Sequence, residues 1–217
     1  ERLRSGSLSS RDLVESAVEG HRNPLGAYRD FRKNAAFELA SLADQAFRCG
    51  TDLGPLQGVP VSVKDLYGLF GTQTFAGSPK ALPQAFEKEG PVVSSLRHQH
   101  VVFMGKTHTV EFAFGGLGVN SHWGTPRNPW DAKTHRVPGG SSCGAGVSIQ
   151  EGSAMLALGS DTAGSVRVPA SMTGCVGLKT SFGRWSLEGI FPLSPTLDTA
   201  GILTRTAEDA LLGFCAI

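Results

Sequence analysis

The chain has 217 residues, of which 40% are apolar and 18% charged, a composition typical of a folded protein with one substantial core. Its net charge of +1, without a run of basic residues, gives no electrostatic reason to expect binding to nucleic acid or to an anionic membrane. No apolar stretch approaches the length of a membrane span, and the four cysteines lie far apart without a CxxC pair, which argues against a disulfide framework or zinc ribbon and favours a reducing, cytoplasmic location.

The first part of the chain predicts two helices followed by a buried strand. Residues 9–20 open with a serine cap and carry Asp12 at the capping-box position. Residues 34–49 place their apolar side chains on one face, which predicts a second helix. Residues 58–66, reading GVPVSVKDL, alternate valines in a manner typical of a buried strand, with Lys64 at its end.

Two regular elements are predicted in the middle of the chain, each next to a long irregular segment. Residues 71–90 are dominated by Gly, Pro and Thr, which predicts a surface loop. A helix over 91–99 and a second buried strand over 101–106 follow. Residues 107–138 show almost no regular pattern, and a long irregular segment inside a compact domain is usually functional.

The last part of the chain predicts two strands and two helices. Residues 142–150 form a small-residue helix, residues 154–160 and 174–179 form strands, and residues 207–217 form an amphipathic helix. Strands alternating with helices indicate an α/β protein, and the absence of repeats or linkers predicts a single domain over residues 1–217. The final helix has no Gly cap or polar last turn, so we expect the chain to be the N-terminal portion of a longer protein.

Ser165 is the first candidate nucleophile. It lies in GSDTAGSVRVPA, directly after a predicted strand, where a Gly-rich turn exposes a hydroxyl. The consecutive amides of Thr162, Ala163, Gly164 and Ser165 would be available to an oxyanion. The motif is not the GxSxG elbow, because Arg167 stands two residues after the serine. Taken alone, such a segment is also compatible with an ordinary turn.

Ser141 and Ser142 are a second pair of candidates, since they follow Gly139 and Gly140 at the start of a predicted helix. One alternative is that a serine here caps the helix. Another is a phosphate cradle, although the segment lacks the GK[ST] ending of a Walker motif.

Lys64 is the candidate base for a serine nucleophile. Burial at a strand end would disfavour its ammonium form, lower its pKa and allow the neutral amine to accept a proton. The alternative is a lysine that snorkels to the surface. The neighbouring Asp65 is either an ion-pair partner or a turn former.

A serine–histidine–carboxylate triad also remains open as an alternative site, although no histidine stands in a metal or catalytic motif. The rival histidines are His98, His100, His108, His122 and His135.

These segments together resemble the amidase signature family. The resemblance is carried by GVPVSVKD, PGGSSCGAG, LGSDTAGSVRVPAS, GCVGLKTSFGR and TLDTAGILTRTAEDALL, in the family's order and spacing, from about Leu8 to the end of the chain. It implies an α/β fold with a mixed twisted β-sheet covered by helices on both faces, and family members extend well beyond the point where this chain ends. It also implies hydrolysis of a small-molecule carboxamide without a metal or organic cofactor.

The resemblance assigns roles residue by residue. Ser165 matches the acylated nucleophile, Lys64 the general base and Ser141 the serine that bridges them, which the family holds after a cis peptide bond to Gly140. Ser142 belongs to the same supporting segment.

The family's oxyanion hole and supporting ion pair also have matches in the nucleophile loop. The amides of Thr162, Ala163 and Gly164, with that of Ser165, match the oxyanion hole. Asp161 and Arg167 match the supporting ion pair.

Two positions depart from the family's usual pattern. Cys143 stands where the SSGGS-type segment has glycine, and a small buried packing role or a reactive thiol would both be compatible with it. Ala163 replaces the commoner glycine of the nucleophile loop, as in the allophanate-hydrolase branch. Phe112, Phe114 and Trp123 are candidates for the lining of an apolar pocket, with core packing as the alternative.

Other functions remain as alternatives to a stand-alone amidase. For the stand-alone amidase, a homodimer is one expected assembly. One is the amidase subunit of a tRNA-dependent amidotransferase. The MDEF-like run and the Gln associated with that subunit read here TVEF and Val168, which disfavours it. The other is a non-catalytic module that retains the fold, which the intact Lys64, Ser141 and Ser165 disfavour.

Overall fold

The computed structural model describes residues 1–131 and 133–217, and its centre is a six-stranded sheet. The strands are β1 (Tyr28–Phe31), β2 (Pro60–Lys64), β3 (Val102–Thr107), β4 (Leu156–Asp161), β5 (Val176–Lys179) and β6 (Thr199–Thr204). Their order across the sheet is β1-β3-β2-β4-β6-β5. The central pairs β3–β2 and β2–β4 are parallel, whereas the outer pairs β1–β3, β4–β6 and β6–β5 are antiparallel. The predicted mixed sheet is therefore confirmed.

Helices cover both faces of this sheet, as predicted. They are α1 (Ser10–Gly20), α2 (Lys33–Arg48), α3 (Pro91–His98), α4 (Cys143–Glu151), α5 (Arg167–Thr173) and α6 (Ala207–Ala216), with 3-10 turns at Asn23–Leu25, Gln84–Glu87 and Glu111–Ala113. Alternate strand residues enter different cores, because successive side chains of a strand point to opposite faces. Val63 and Leu158 pack in the core with α3, whereas Ala157 and Leu203 pack with α4 and α5.

The predicted helices and strands are found within a few residues of their expected bounds. The capping box of α1 is present: the Ser9 hydroxyl accepts the Asp12 amide at 3.0 Å, and the Asp12 carboxylate accepts the Ser9 amide at 2.9 Å. Every residue of β2 is buried, because the strand lies between β3 and β4 with helices on both sides.

Three elements were not predicted from the sequence. β1 reads YRDF and is only partly buried, β6 reads TAGILT with two small residues, and α5 carries Pro169. Pro169 is tolerated because it lies in the first turn of α5, where its missing N–H has no helical acceptor. β6 is defined by pairing with both β4 and β5, a tertiary feature that short-range patterns do not contain.

The prediction of a surface loop over residues 71–90 is wrong for its first half. Thr74 and Ala76 are fully buried. The Thr74 hydroxyl donates to the Phe86 carbonyl at 2.9 Å, and the Ala76 amide donates to the Asp65 carbonyl at 3.0 Å. Internal hydrogen bonds satisfy these polar groups and allow the segment to cover the end of β2.

Among the described residues, no helix combines the length and the apolar character needed to cross a membrane.

Candidate active site

Lys64 is buried at the carboxyl end of β2. Its side chain has no exposed surface, so the alternative of a snorkelling lysine is wrong. Burial lowers the pKa of the Lys64 ammonium to about 7, because the charged form loses its hydration; the negative charges of Asp161 and Asp198 oppose the shift. An amine with this pKa is available in its neutral, proton-accepting form near physiological pH.

The Lys64 amine contacts two serine hydroxyls. Its Nζ lies 2.7 Å from Ser141 Oγ, as the resemblance implied, and 3.0 Å from Ser160 Oγ on β4. Ser160 was missed in the sequence, where it was counted only as the last residue of a strand. The available signal was topological: β2 and β4 are adjacent parallel strands, so the residues at their carboxyl ends meet at one edge of the sheet.

Ser141 reaches Lys64 from the start of α4, and the peptide bond between Gly140 and Ser141 is cis. Ser141 is fully buried and its carbonyl accepts the Val110 amide at 3.2 Å. Gly144 allows the first turn of α4 to approach the neighbouring strands, because a Cβ there would lie 2.1 Å from the Ala27 carbonyl oxygen. The glycine at this position is therefore a packing requirement.

Ser142 occupies the N-cap position of α4, but its side chain makes no capping bond. Its hydroxyl donates to the Ser160 carbonyl at 3.3 Å, and its amide donates to the Ser165 carbonyl at 3.1 Å. The second contact joins the two serine-bearing segments. Ser142 thus connects the ends of α4 and β4 with the nucleophile loop.

Ser165 lies in the loop between β4 and α5, and it is partly exposed at the wall of a cavity. Gly164, before it, has a φ of +122°, a backbone conformation that residues with a Cβ rarely adopt. Among the described residues the Ser165 hydroxyl makes no hydrogen bond. The contacts between nucleophile and base are often long in an enzyme without substrate, so this geometry is compatible with a relay through Ser141.

Asp161 organises the nucleophile loop. Its carboxylate accepts the amides of Gly164 at 2.8 Å, Val166 at 3.1 Å and Arg167 at 3.3 Å, and both Nε and a terminal nitrogen of the Arg167 guanidinium. Burial would raise the pKa of Asp161, but these hydrogen bonds outweigh burial and hold the pKa below its usual range. The Arg167 side chain is 55% exposed, so solvent screens its ion pair with Asp161.

The predicted oxyanion amides are not equivalent. The Gly164 amide donates to Asp161, whereas the amides of Thr162, Ala163 and Ser165 donate to no acceptor in the described parts of the chain. The residues that carry these three amides line the cavity that contains Ser165. An incoming oxyanion would therefore meet them rather than the Gly164 amide.

Two cavities adjoin this loop. The larger, about 380 Å³, is lined by the glycines and aromatic side chain of residues 113–116, by the nucleophile loop, and by Leu193 and Ser194. The smaller, about 130 Å³, is mostly apolar, and its polar lining residues are Ser160, Thr162 and Asp198. Thr162 and Leu193 border both cavities. The site can accommodate a small substrate with an apolar portion.

Asp198 is a further buried residue that the sequence reading missed. Its carboxylate accepts the Thr162 hydroxyl and the amides of Leu193 and Ser194, each amide at 2.9 Å. The carboxylate therefore joins the loop before β6 to the nucleophile loop. In the sequence, Asp198 appears only as part of the segment beginning TLDTAG, and no role is predicted for it there.

Asp65, next to the base, is an ion-pair partner and not simply a turn former. It lies 2.7 Å from the Arg29 guanidinium and 2.9 Å from the amine of Lys106, a second fully buried lysine on β3. Burial lowers the pKa of Lys106, while Asp65 opposes that shift. Lys106 was missed because VVFMGK reads only as a buried strand.

The rival histidines make no hydrogen bond to Ser141 or Ser165 in the part of the chain that the structure describes. His108 is buried, and burial together with nearby Arg29 lowers its pKa to about 4. Its carbonyl oxygen lies 3.3 Å from Cys143 Sγ. Burial raises the pKa of the Cys143 thiol to about 12, which favours the packing role over a reactive thiol. Among the described residues no histidine hydrogen-bonds Ser141 or Ser165, and no group of three or more His, Cys, Asp or Glu could hold a metal ion.

The three candidate aromatic residues lie in different surroundings. Phe114 lines the larger cavity and is 82% exposed. Phe112 packs against Phe191, which lines the smaller cavity. Trp123 packs edge-on against Phe75 and donates its indole N–H to the Ser78 carbonyl at 2.8 Å, so it anchors a loop instead of lining the site.

A family model described as Amidase matches residues 13–217. The chain belongs to the amidase family. A 2-amino-5-chloromuconic acid deaminase from Comamonas testosteroni is 58% identical over an alignment of 219 positions, gaps included, that covers 100% of this chain and 47% of that protein. One glutamyl-tRNA(Gln) amidotransferase subunit, from Carboxydothermus hydrogenoformans, is 37% identical, covering 98% of this chain and 44% of that protein.

Solved structures of amidases share this fold. One crystal structure of an amidase is 38% identical and superposes with a TM-score of 0.93, covering 99% of this chain and 50% of the solved one. The predicted α/β class and the family resemblance are therefore confirmed. The chain spans about half the length of the curated relatives it matches.

Proposed function

We propose that the protein hydrolyses a small carboxamide to a carboxylic acid and ammonia or an amine, and that residues 1–217 form a single amidase signature domain. The observation that carries this proposal is the buried Lys64 amine at 2.7 Å from Ser141 Oγ, beside a nucleophile loop that lines a cavity. Membership of the amidase family supports the same reaction.

The proposed first step forms an acyl-enzyme. Ser165 Oγ attacks the amide carbonyl carbon while its proton passes to Ser141 Oγ, whose own proton passes to the neutral amine of Lys64. The carbonyl oxygen becomes an oxyanion held by the amides of the nucleophile loop that donate to no acceptor in the described residues, those of Thr162, Ala163 and Ser165. Removal of one such donor typically costs about 10²–10³ in rate.

The proposed intermediate then collapses and is hydrolysed. The C–N bond breaks, and the leaving nitrogen takes a proton returned from Lys64 through Ser141. Water attacks the acyl-Ser165 ester by the same relay, which releases the acid and restores the free serine. Asp161, Arg167, Gly140 and Ser142 hold the loop and need no chemical role. All proton transfers use groups of this chain.

The rate of the proposed acylation should rise with pH through about 7 and then level off. The pKa of Lys64 is lowered to about 7, so the proton-accepting neutral amine predominates above that pH and disappears below it. The measurement is ammonia release by the full-length protein from a panel of small carboxamides between about pH 5 and about pH 9, with 2-amino-5-chloromuconic acid, which is an amino acid and not an amide, tested separately. A chemistry-limited rate that is constant over this range contradicts the assignment of Lys64 as base.

A second candidate is the amidase subunit of a tRNA-dependent amidotransferase, since a relative with a name of that kind is 37% identical. The higher identity to the Comamonas deaminase favours action on a small molecule. The two candidates separate in the same assay: a stand-alone enzyme releases ammonia without added protein, whereas an amidotransferase component requires its partners. We further propose a cytoplasmic location, a small-molecule partner, no metal or organic cofactor, and a homodimer as the assembly to test.

A further inference from the structure

Ser160 is the second hydroxyl within hydrogen-bond distance of the Lys64 amine, and the relay described above does not use it. Its Oγ lies 3.0 Å from Nζ, compared with 2.7 Å for Ser141. Ser160 is 6% exposed, and the amine has no exposed surface. Because the Lys64 amine is removed from water, each of its hydrogen bonds counts more than it would at the surface.

The requirement for a second acceptor follows from the proton count on Lys64. An ammonium carries three N–H donors, and the neutral amine carries two N–H donors and one lone pair. The lone pair accepts the Ser141 proton only when it is directed at Ser141. An acceptor that binds one of the remaining N–H groups fixes the rotation of the amine, and Ser160 Oγ occupies that place.

The strand that carries Ser160 is held rigidly at this point. At the end of β4, three successive backbone carbonyls accept hydrogen bonds from side-chain hydroxyls. The Gly159 carbonyl accepts the Tyr67 hydroxyl at 2.6 Å, and the Ser160 carbonyl accepts the Ser142 hydroxyl at 3.3 Å. The Asp161 carbonyl accepts the hydroxyl of Thr199 at 2.8 Å. β2 pairs with β4 only as far as Leu158, so these hydroxyls complete the hydrogen bonding beyond that pair.

We propose that Ser160 is a positioning residue for the proposed hydrolysis: it accepts an N–H of Lys64, directs the amine lone pair at Ser141 and stabilises the ammonium formed by proton transfer. This role rests on the proposed function. The titratable groups that face Lys64 are Cys143 on α4, Asp161 at the end of β4 and Asp198 in the loop before β6. A change at Ser160 leaves all three in place, so its effect on the titration of Lys64 can be separated from theirs.

The test uses the full-length protein and a small fluorophosphonate, with the labelling rate measured between about pH 5 and about pH 9. For Ser160→Ala we expect labelling slower by about 10- to 100-fold, the loss typical of one hydrogen bond to a charged group. We also expect the midpoint of the pH profile to move to lower pH, because the ammonium loses an acceptor. Ser160→Cys, with a weaker acceptor of similar size, should shift the midpoint in the same direction. Ser160→Thr keeps the hydroxyl and should restore the parent profile.

Ser62→Ala is the matched control. Ser62 is also fully buried, lies on β2 two residues before the base, and hydrogen-bonds Ser148 at 2.9 Å rather than Lys64. Its loss should leave the midpoint unchanged. An unchanged midpoint in Ser160→Ala and Ser160→Cys overturns the role of Ser160 and leaves the proposed function standing. A parent protein that takes no label contradicts the proposed function and overturns this role with it.

Discussion

Replacing Lys64 with methionine should reduce amide hydrolysis by about 10²–10⁴-fold, the usual contribution of a general base. The substitution should leave the protein at least as stable as the parent near neutral pH. Burial lowers the pKa of Lys64 to about 7, so the unfolded chain binds a proton that the folded chain releases between about pH 7 and pH 10.5. The buried lysine therefore lowers the free energy of unfolding, most fully below about pH 7, and an unbranched apolar side chain at this position removes that loss. Steady-state kinetics and urea denaturation measure the two effects.

Lys106→Met is the matched control for this prediction. Lys106 is as deeply buried on the neighbouring strand, but it pairs with Asp65 at 2.9 Å. Its removal leaves a buried carboxylate whose remaining ionic partner among the described residues is Arg29, so we expect a loss of stability, of about 3–5 kcal/mol as for other broken buried pairs. The rising limb of the pH profile should persist because Lys64 is intact. Equal activity losses with equal stability changes in both variants would contradict the distinction between base and structural lysine.

Asp161→Asn should lower both stability and activity. The carboxylate accepts three backbone amides and the Arg167 guanidinium, and an amide group in its place turns one acceptor into a donor facing them. We expect a loss of about 2–4 kcal/mol in the free energy of unfolding and at least about a 100-fold slower acylation, since the oxyanion amides lose their positions. The pKa of Asp161 is lowered in the folded protein, so its contribution is complete above about pH 4 and is lost as pH falls through the folded value.

Asp131→Asn provides the comparison for Asp161. The Asp131 carboxylate also accepts two backbone amides, those of Lys133 and Thr134, and the guanidinium of Arg136. These contacts lower the pKa of Asp131 to about 2. It is more exposed and does not line the cavity of Ser165. We expect full activity in this variant. Urea denaturation and fluorophosphonate labelling compare the two; full activity in Asp161→Asn would show that the loop does not depend on this carboxylate.

The sequence was sufficient for the parts of the fold with strong local patterns. The capping box of α1 and the valine alternation of β2 predicted those elements correctly. β6 was missed because its burial comes from pairing with β4 and β5, and β1 because its residues are half polar. Pattern reading therefore failed where tertiary pairing, and not local propensity, determines the structure.

The same distinction applies to the candidate site. The resemblance placed Lys64 beside Ser141, and the structure has this contact. Ser160 and Asp198 escaped notice because their partners are distant in the sequence and their own segments read as a strand end and a loop. The commitment of the Gly164 amide to Asp161 depends on the path of the loop, which residue identity alone does not determine.

The central claim is that Ser165 is the nucleophile of a serine–lysine site. The most direct measurement is the intact mass of the full-length protein after treatment with a small fluorophosphonate, followed by peptide mapping, for the parent and for Ser165→Ala. We predict one adduct on the parent, on the peptide that contains Ser165, and none on Ser165→Ala. An adduct that persists in Ser165→Ala, or a folded parent that takes none, would contradict the claim.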